Sequence, residues 1–181
     1  MPTPERTSLA EIVGAGRDLL EEAGPAGLTM QSVAERVGVR PPSLYKRVRD
    51  RDALLSAVAV ATLDDLTARL EASDRSLDGL ARAYRAFAHE RPEGFRLMFA
   101  TAAPQEALDR AGLTIVRGAA SIAGEEHALD AARLLTAWAT GFLHMELAGA
   151  FRLGGDVDAA FEYGLAALAR GLATSGSAGG D

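Results

Sequence analysis

Apolar positions recur at helical spacing through nearly all of this 181-residue chain, and nowhere do they alternate as along a strand. The expected fold class is all-α. Leu9, Ile12, Val13, Leu19 and Leu20 predict a helix over 8–23, opened by a capping box, Ser8-x-x-Glu11, and closed by the breaker run Gly24-Pro25-Ala26-Gly27. Thr29 can cap a second helix that sets Val33, Ala34 and Val37 on one face, with Gly38 to end it and Val39 to plug the corner. Pro41 and Pro42 then supply fixed φ for the first turn of a third, which buries Leu44 and Val48 and leaves Ser43, Tyr45, Lys46, Arg47 and Arg49 pointing elsewhere.

Asp50 is an N-cap for a long helix through Leu54, Leu55, Val58, Leu63, Leu66 and Leu70, ending near Glu71. After the loop Ser73–Ser76, Leu80, Ala83, Tyr84, Phe87 and Ala88 predict a helix from Leu77 to His89. Pro92 stops it, and Phe95, Leu97, Met98 and Phe99 form a short apolar piece. Another helix is expected over 104–123, then a long one from Glu125-Glu126 to about 152, broken by Leu153-Gly154-Gly155. Asp156 caps a last helix over 156–172. The expected domains are a head over 1–52, with a loose arm at 1–7, a helical body over 53–173, and a Gly/Ser-rich disordered tail over 174–181.

Composition and charge narrow the function. An apolar content of 48% suffices for a small head plus one core-forming body. With no Cys, disulfides and thiolate metal sites drop out. No apolar run approaches a membrane span and the N-terminus is not signal-like, so a soluble, cytoplasmic protein with no membrane partner is expected. Net charge is −6, yet residues 29–51 hold Arg36, Arg40, Lys46, Arg47, Arg49 and Arg51 against Glu35 and Asp50 alone. A basic patch on an acidic body suits a protein that touches DNA at one end.

Two short helices joined by a tight turn containing Gly are the helix-turn-helix signature. The residues Leu28-Thr29, Val33-Ala34-Glu35-Arg36-Val37-Gly38-Val39 and Pro42-Ser43-Leu44-Tyr45 closely resemble the DNA-binding domain of the tetracycline repressor (TetR) family, and the likeness continues through Val48, Asp50-Arg51 and Ala53-Leu54-Leu55. It implies that Pro42, Ser43, Tyr45 and Arg47 enter the major groove, that Arg51 occupies a phosphate-binding position, and that Gln31 also reaches DNA. Arg47 stands where the family often has His. With Thr29, Arg40, Lys46 and Arg49, these make up the expected DNA site on a palindromic double-stranded operator. Arg6 is a further candidate for a phosphate.

In the body, small residues (Ala131, Ala132, Ala137, Gly141, Ala148, Gly149, Gly164, Ala166, Ala167, Gly171) let helices approach closely. Family resemblance puts a four-helix homodimer interface there, against the alternative of a tightly packed monomeric core. The run Gly141-Phe142 and Glu146–Phe151 resembles in part the TetR C-terminal subfamily named for a Trp-His-Gly motif, with Thr140 at the His position and Trp138 out of register. Tyr84, Phe87, Phe95, Met98, Phe99, Trp138, Phe142 and Met145 are the candidate lining of an apolar pocket, with Tyr84, Thr140 and His144 as polar anchors. A plain core stripe is the competing reading.

His144 and Glu146 diverge at i, i+2, and His89 and His127 stand apart, so no metal is expected. The chain lacks a phosphate loop, G-x-G-x-x-G, G-x-S-x-G and H-E-x-x-H, so no enzyme and no cofactor are expected. The resulting expectation is a dimeric DNA-binding regulator, a repressor released from its operator by a small apolar effector. The alternatives are a DNA-binding protein without effector and a helical carrier module.

Overall fold

The computed structural model describes residues 7–100 and 103–177. Helices α1 Leu9–Gly27, α2 Met30–Arg36, α3 Pro41–Leu44, α4 Arg51–Ala72, α5 Leu77–Glu90, α6 Pro92–Ala100, α7 Gln105–Ala123, α8 Ala128–Leu147 and α9 Val157–Ser177 follow in order, with a 3₁₀ turn at Glu125–His127. The described residues contain no strand. The chain divides into two compact units, one of residues 1–65 with 91–108, the other of 66–90 with 109–181.

The first unit forms because each apolar face finds the same centre. Ile12, Leu19 and Leu20 of α1, Val33 and Ala34 of α2, Leu44 and Val48 at the third helix, and Leu54 and Val58 of α4 make one buried cluster. Ser8 and Glu11 close the expected capping box, and Gly24, at φ 65°, interrupts α1 where the breaker run begins. Residues 91–108 join this unit rather than the contiguous body expected from sequence. The cause lies at the start of α6: its free amides at Glu93 and Gly94 donate to the Glu21 carboxylate of α1 at 3.1 and 2.8 Å. That contact caps a helix with a charge from a partner 72 residues upstream in the sequence. Leu97 is buried in the same cluster.

In the second unit, Leu77, Ala119, Ala123, Ala131, Ala132, Leu135, Phe161 and Leu165 form the core. Its aromatic heart lies between α8 and α9. Trp138 stacks on Phe161 at 5.2 Å, and Phe142 meets Phe161 edge-on at 5.3 Å and Phe151 at 4.8 Å.

The boundaries that differ most from expectation are the ends of α8 and α9. The α8 helix stops at Leu147 rather than near 152, because Gly149 takes φ 61° and turns the chain. The Gly149 amide donates to the Glu146 carbonyl and Ala150 to Met145, both at 2.9 Å, so the last carbonyls are satisfied without more helix. The α9 helix runs on to Ser177, beyond the expected start of the tail at 174; residues 178–181 of that expected tail lie outside the described residues.

Candidate nucleic-acid interface and effector pocket

The helix-turn-helix is built from local chemistry. Thr29 accepts the Ser32 amide at 3.0 Å, and Ser32 returns a bond to the Thr29 amide at 3.0 Å. At the other end of α2, Gly38 takes φ 73°. The Gly38 amide donates to Glu35 at 3.2 Å and Val39 to Ala34 at 2.9 Å, closing the turn that feeds α3. Pro41 and Pro42 open α3, and a hydrogen-bonded turn carries the chain to Val48, whose amide reaches the Leu44 carbonyl at 2.8 Å. Leu44 and Val48 are buried, which forces their neighbours outward. Pro42, Ser43, Tyr45, Lys46, Arg47 and Arg49 are all exposed on one outward run, with Arg40 just before it.

The other expected DNA contacts carry internal duties. Thr29 is half-buried and spends its hydroxyl on the cap. Gln31 is exposed and donates to Glu35 at 2.5 Å. Arg49 pairs with Asp50 at 2.6 Å, and Asp50 caps α4 by accepting the Ala53 amide at 2.8 Å. Arg51 donates to the Leu28 and Pro25 carbonyls at 2.9 and 2.5 Å, so in this structure it clamps the α1–α2 corner. No sequence signal marked that clamp, because its acceptors are backbone atoms 23 and 26 residues away. Arg6 lies outside the described residues.

The eight expected pocket residues are divided between the two units. Phe95, Met98 and Phe99 belong to the first unit, where Phe95 meets Phe99 edge-on at 5.5 Å. Phe87 is fully buried beneath the Arg69 guanidinium, and Phe142 lies in the aromatic heart. Met145 is 48% exposed. Tyr84 and Trp138 do line one apolar pocket in the second unit, together with Leu70, Leu80, Ile115 and Thr136. Its volume is about 40 Å³. The Tyr84 hydroxyl is 3.0 Å from Thr140 Oγ1, and burial pushes its pKa up to about 12, against the lowering effect of that hydrogen bond. Tyr84 therefore stays neutral at any physiological pH. His144 is exposed, its Nδ1 2.9 Å from the Thr140 carbonyl. Leu70, Leu80 and Ile115 escaped sequence reasoning because ordinary aliphatic residues at helical spacing look like core.

An ion network ties three helices of this unit. Arg85 of α5 meets Glu146 of α8, its Nε at 3.1 Å, and Asp158 of α9 at 2.6 Å, while its guanidinium lies 4.7 Å from the Phe161 ring. His89 Nε2 is 3.2 Å from Glu146. Burial raises the Glu146 pKa, but the Arg85 and His89 hydrogen bonds outweigh it and leave the carboxyl below its ordinary 4.5. A depressed carboxylate stabilises the fold above its unfolded pKa and loses that contribution as pH falls through the folded value. Urea midpoints of the second unit should therefore hold steady from about pH 6 to 5 and decline below about 4.5. Glu146→Gln should flatten that part of the decline; an unchanged acid limb would remove Glu146 from the account.

Two family descriptions match the chain: "Bacterial regulatory proteins, tetR family" over residues 6–58, and "Tetracyclin repressor-like, C-terminal domain" over 77–168. The class A tetracycline repressor protein from transposon 1721 of Escherichia coli is 34% identical, over 90% of this chain and 88% of its own length. Likeness to the Escherichia coli class D repressor is shorter, 32% identity over 50% of this chain and 39% of that one. A variant of TetR from Acinetobacter baumannii AYE, solved in complex with minocycline, superposes with a TM-score of 0.68 at 27% identity, over 91% of this chain and 96% of that one. The outward basic run on a buried Leu44–Val48 face thus sits in the region that matches the regulators' DNA-binding domain, and the chain belongs to the TetR family of DNA-binding transcriptional regulators.

Proposed function

We propose that this regulator is a repressor whose operator affinity falls when a small, mainly apolar molecule opens the pocket lined by Leu70, Tyr84, Ile115 and Trp138. The pocket carries this reading. Its walls are apolar save for Tyr84 and Thr136, which suits a ligand with one hydrogen-bonding group. At about 40 Å³ it is far smaller than the roughly 300 Å³ or more that drug-sized ligands fill, so occupancy must move its walls. Leu70 belongs to α4, the same continuous helix whose first turns bury Leu54 and Val58 in the helix-turn-helix unit. A ligand that displaces α4 and DNA that prefers it undisplaced weaken each other by the same factor. The solved relative that holds minocycline supports a ligand-responsive body in this family.

Trp138 is the chain's single Trp, so its emission reports the pocket without ambiguity. Apolar ligands that change Trp138 emission are expected to weaken operator binding over the same concentration range. Ligands that alter emission and leave DNA affinity untouched would defeat the repressor-release reading.

Base and phosphate contacts fall to Pro42, Ser43, Tyr45, Lys46, Arg47 and Arg40 in this proposal. Tyr45 is 54% exposed, so its ring is available to a thymine methyl or a phosphate. Tyr45→Ala should cost about 1–3 kcal/mol in operator binding with the melting temperature unchanged. A matching loss of stability would place Tyr45 in the core instead. A second protomer would cover the exposed apolar face of Leu134, Ala137, Gly141 and Met145 on α8 and Tyr163, Ala166 and Ala167 on α9.

A further inference from the structure

The second unit carries two polar grooves, and their charge accounting differs. The groove beside α5 and α9 holds Arg82, Arg85 and His89, but its arginines are compensated: Arg82 pairs with Glu162 at 2.8 Å, and Arg85 with Glu146 and Asp158. The other groove, of about 290 Å³, is lined by Glu71 and Arg75 on one side and by Thr114, Arg117, Gly118 and Ser121 of α7 on the other. Here the cations are left over. Among the described residues Arg117 has no hydrogen-bond or ion-pair partner, and Arg75 spends its Nε on the Glu71 carbonyl at 3.4 Å and nothing else of its guanidinium.

The groove is held in shape by its own turn. Arg75 sits at φ 59°, a left-handed conformation that a residue with a Cβ enters at a cost. Ser73 Oγ accepts the Arg75 amide at 3.2 Å, and Asp74 Oδ1 accepts the Ser76 amide at 2.9 Å, so both flanks of the strained residue are tied. Across from it, a Cβ at Gly118 would meet Leu80 at 2.3 Å and the Arg75 carbonyl at 3.3 Å. Only glycine lets α7 come this close to the turn.

Thr114 supplies the most telling atom. It is 7% exposed, yet its hydroxyl makes no hydrogen bond among the described residues. Thr62, also on a buried position, behaves ordinarily and donates to the Val58 carbonyl at 2.8 Å. A hydroxyl without a protein partner, opening onto a groove beside two guanidinium groups that have N–H donors to spare, can donate to a bound acceptor.

We propose that this groove binds a small oxyanion, a carboxylate or a phosphate monoester, held by Arg75, Arg117 and the Thr114 hydroxyl. Guanidinium groups match the geometry of both anions and bind them through paired N–H donors. Glu71 faces the same space as an acceptor, which favours a ligand that also carries a hydroxyl or ammonium group over a bare polyanion. Leu80 abuts Gly118 and also lines the apolar pocket, so the two sites share a wall. The oxyanion site nonetheless stands without the repressor-release reading, since it rests on other residues.

Calorimetric titration of the full chain with sodium phosphate, and separately with sodium acetate, at fixed pH and ionic strength tests it. Saturable binding at one site per protomer is expected, and whichever anion binds more tightly tells the phosphate ester from the carboxylate. Arg117→Gln and Thr114→Val should each weaken the tighter anion about tenfold or more, with unchanged melting temperature. Arg133→Gln, whose side chain pairs with Asp130 elsewhere on α8, should leave binding intact. Heats that never saturate, or equal affinity in wild type and Arg117→Gln, would overturn the site.

Discussion

Ala167→Arg is expected to turn the dimer into a monomer at micromolar concentration by sedimentation, and to lower operator affinity by about 100-fold or more. Ala167 is exposed on α9, so the longer side chain disturbs no packing within its own protomer. At a two-fold interface the same change occurs twice and places like charges against an apolar face, which costs several kilocalories per mole. A monomer engages one half-site and forfeits the roughly 10²–10⁴-fold gain that linking two heads confers. Gly164 looks equivalent in sequence but is not a clean probe. A Cβ there would lie 2.5 Å from Trp138, so a substitution damages the fold before it reaches the interface. An Ala167→Arg protein that remains dimeric would move the interface off α9.

Phe161→Ala should reduce stability of the second unit by about 3–5 kcal/mol, measured by urea unfolding followed at Trp138. Phe161 is fully buried and is the hub of its surroundings: Trp138 stacks on one side, Phe142 meets its edge, and the Arg85 guanidinium lies 4.7 Å from its centre. Removing the ring opens a cavity among groups fixed by other contacts, the setting in which collapse is least able to repair the loss. It also strips a cation–π partner from Arg85. Since whole domains are stable by only about 5–15 kcal/mol, the variant should sit near the edge of folding. A loss below about 1 kcal/mol would mean that the α8–α9 packing is not organised around this residue.

Much of the first unit could be read from sequence because its information is local. A capping box spans four residues, and a left-handed Gly after α2 or two prolines opening α3 constrain the chain within one turn. The same holds for the outward basic run, which follows once Leu44 and Val48 are buried. What escaped was carried by distant partners. Glu21 caps α6, so residues 91–108 count with the first unit, and three of the eight aromatic or Met residues expected in a pocket belong to it. Arg51, expected at a phosphate, is engaged by backbone carbonyls that no side-chain pattern reveals. The pocket itself is walled largely by Leu70, Leu80, Ile115 and Leu135, residues whose hydrophobic spacing is indistinguishable from that of core. Of the aromatic residues expected there, Phe142 instead meets Phe161 in the α8–α9 packing.

The most direct test recovers genomic DNA bound by the full chain and measures the binding of one recovered site by fluorescence anisotropy, with the Tyr45→Ala protein alongside. A palindromic site bound by two protomers is expected, with an affinity that falls steeply with salt and drops by about 1–3 kcal/mol in the variant. Recovery of DNA with no shared sequence, bound equally by wild type and Tyr45→Ala, would contradict it.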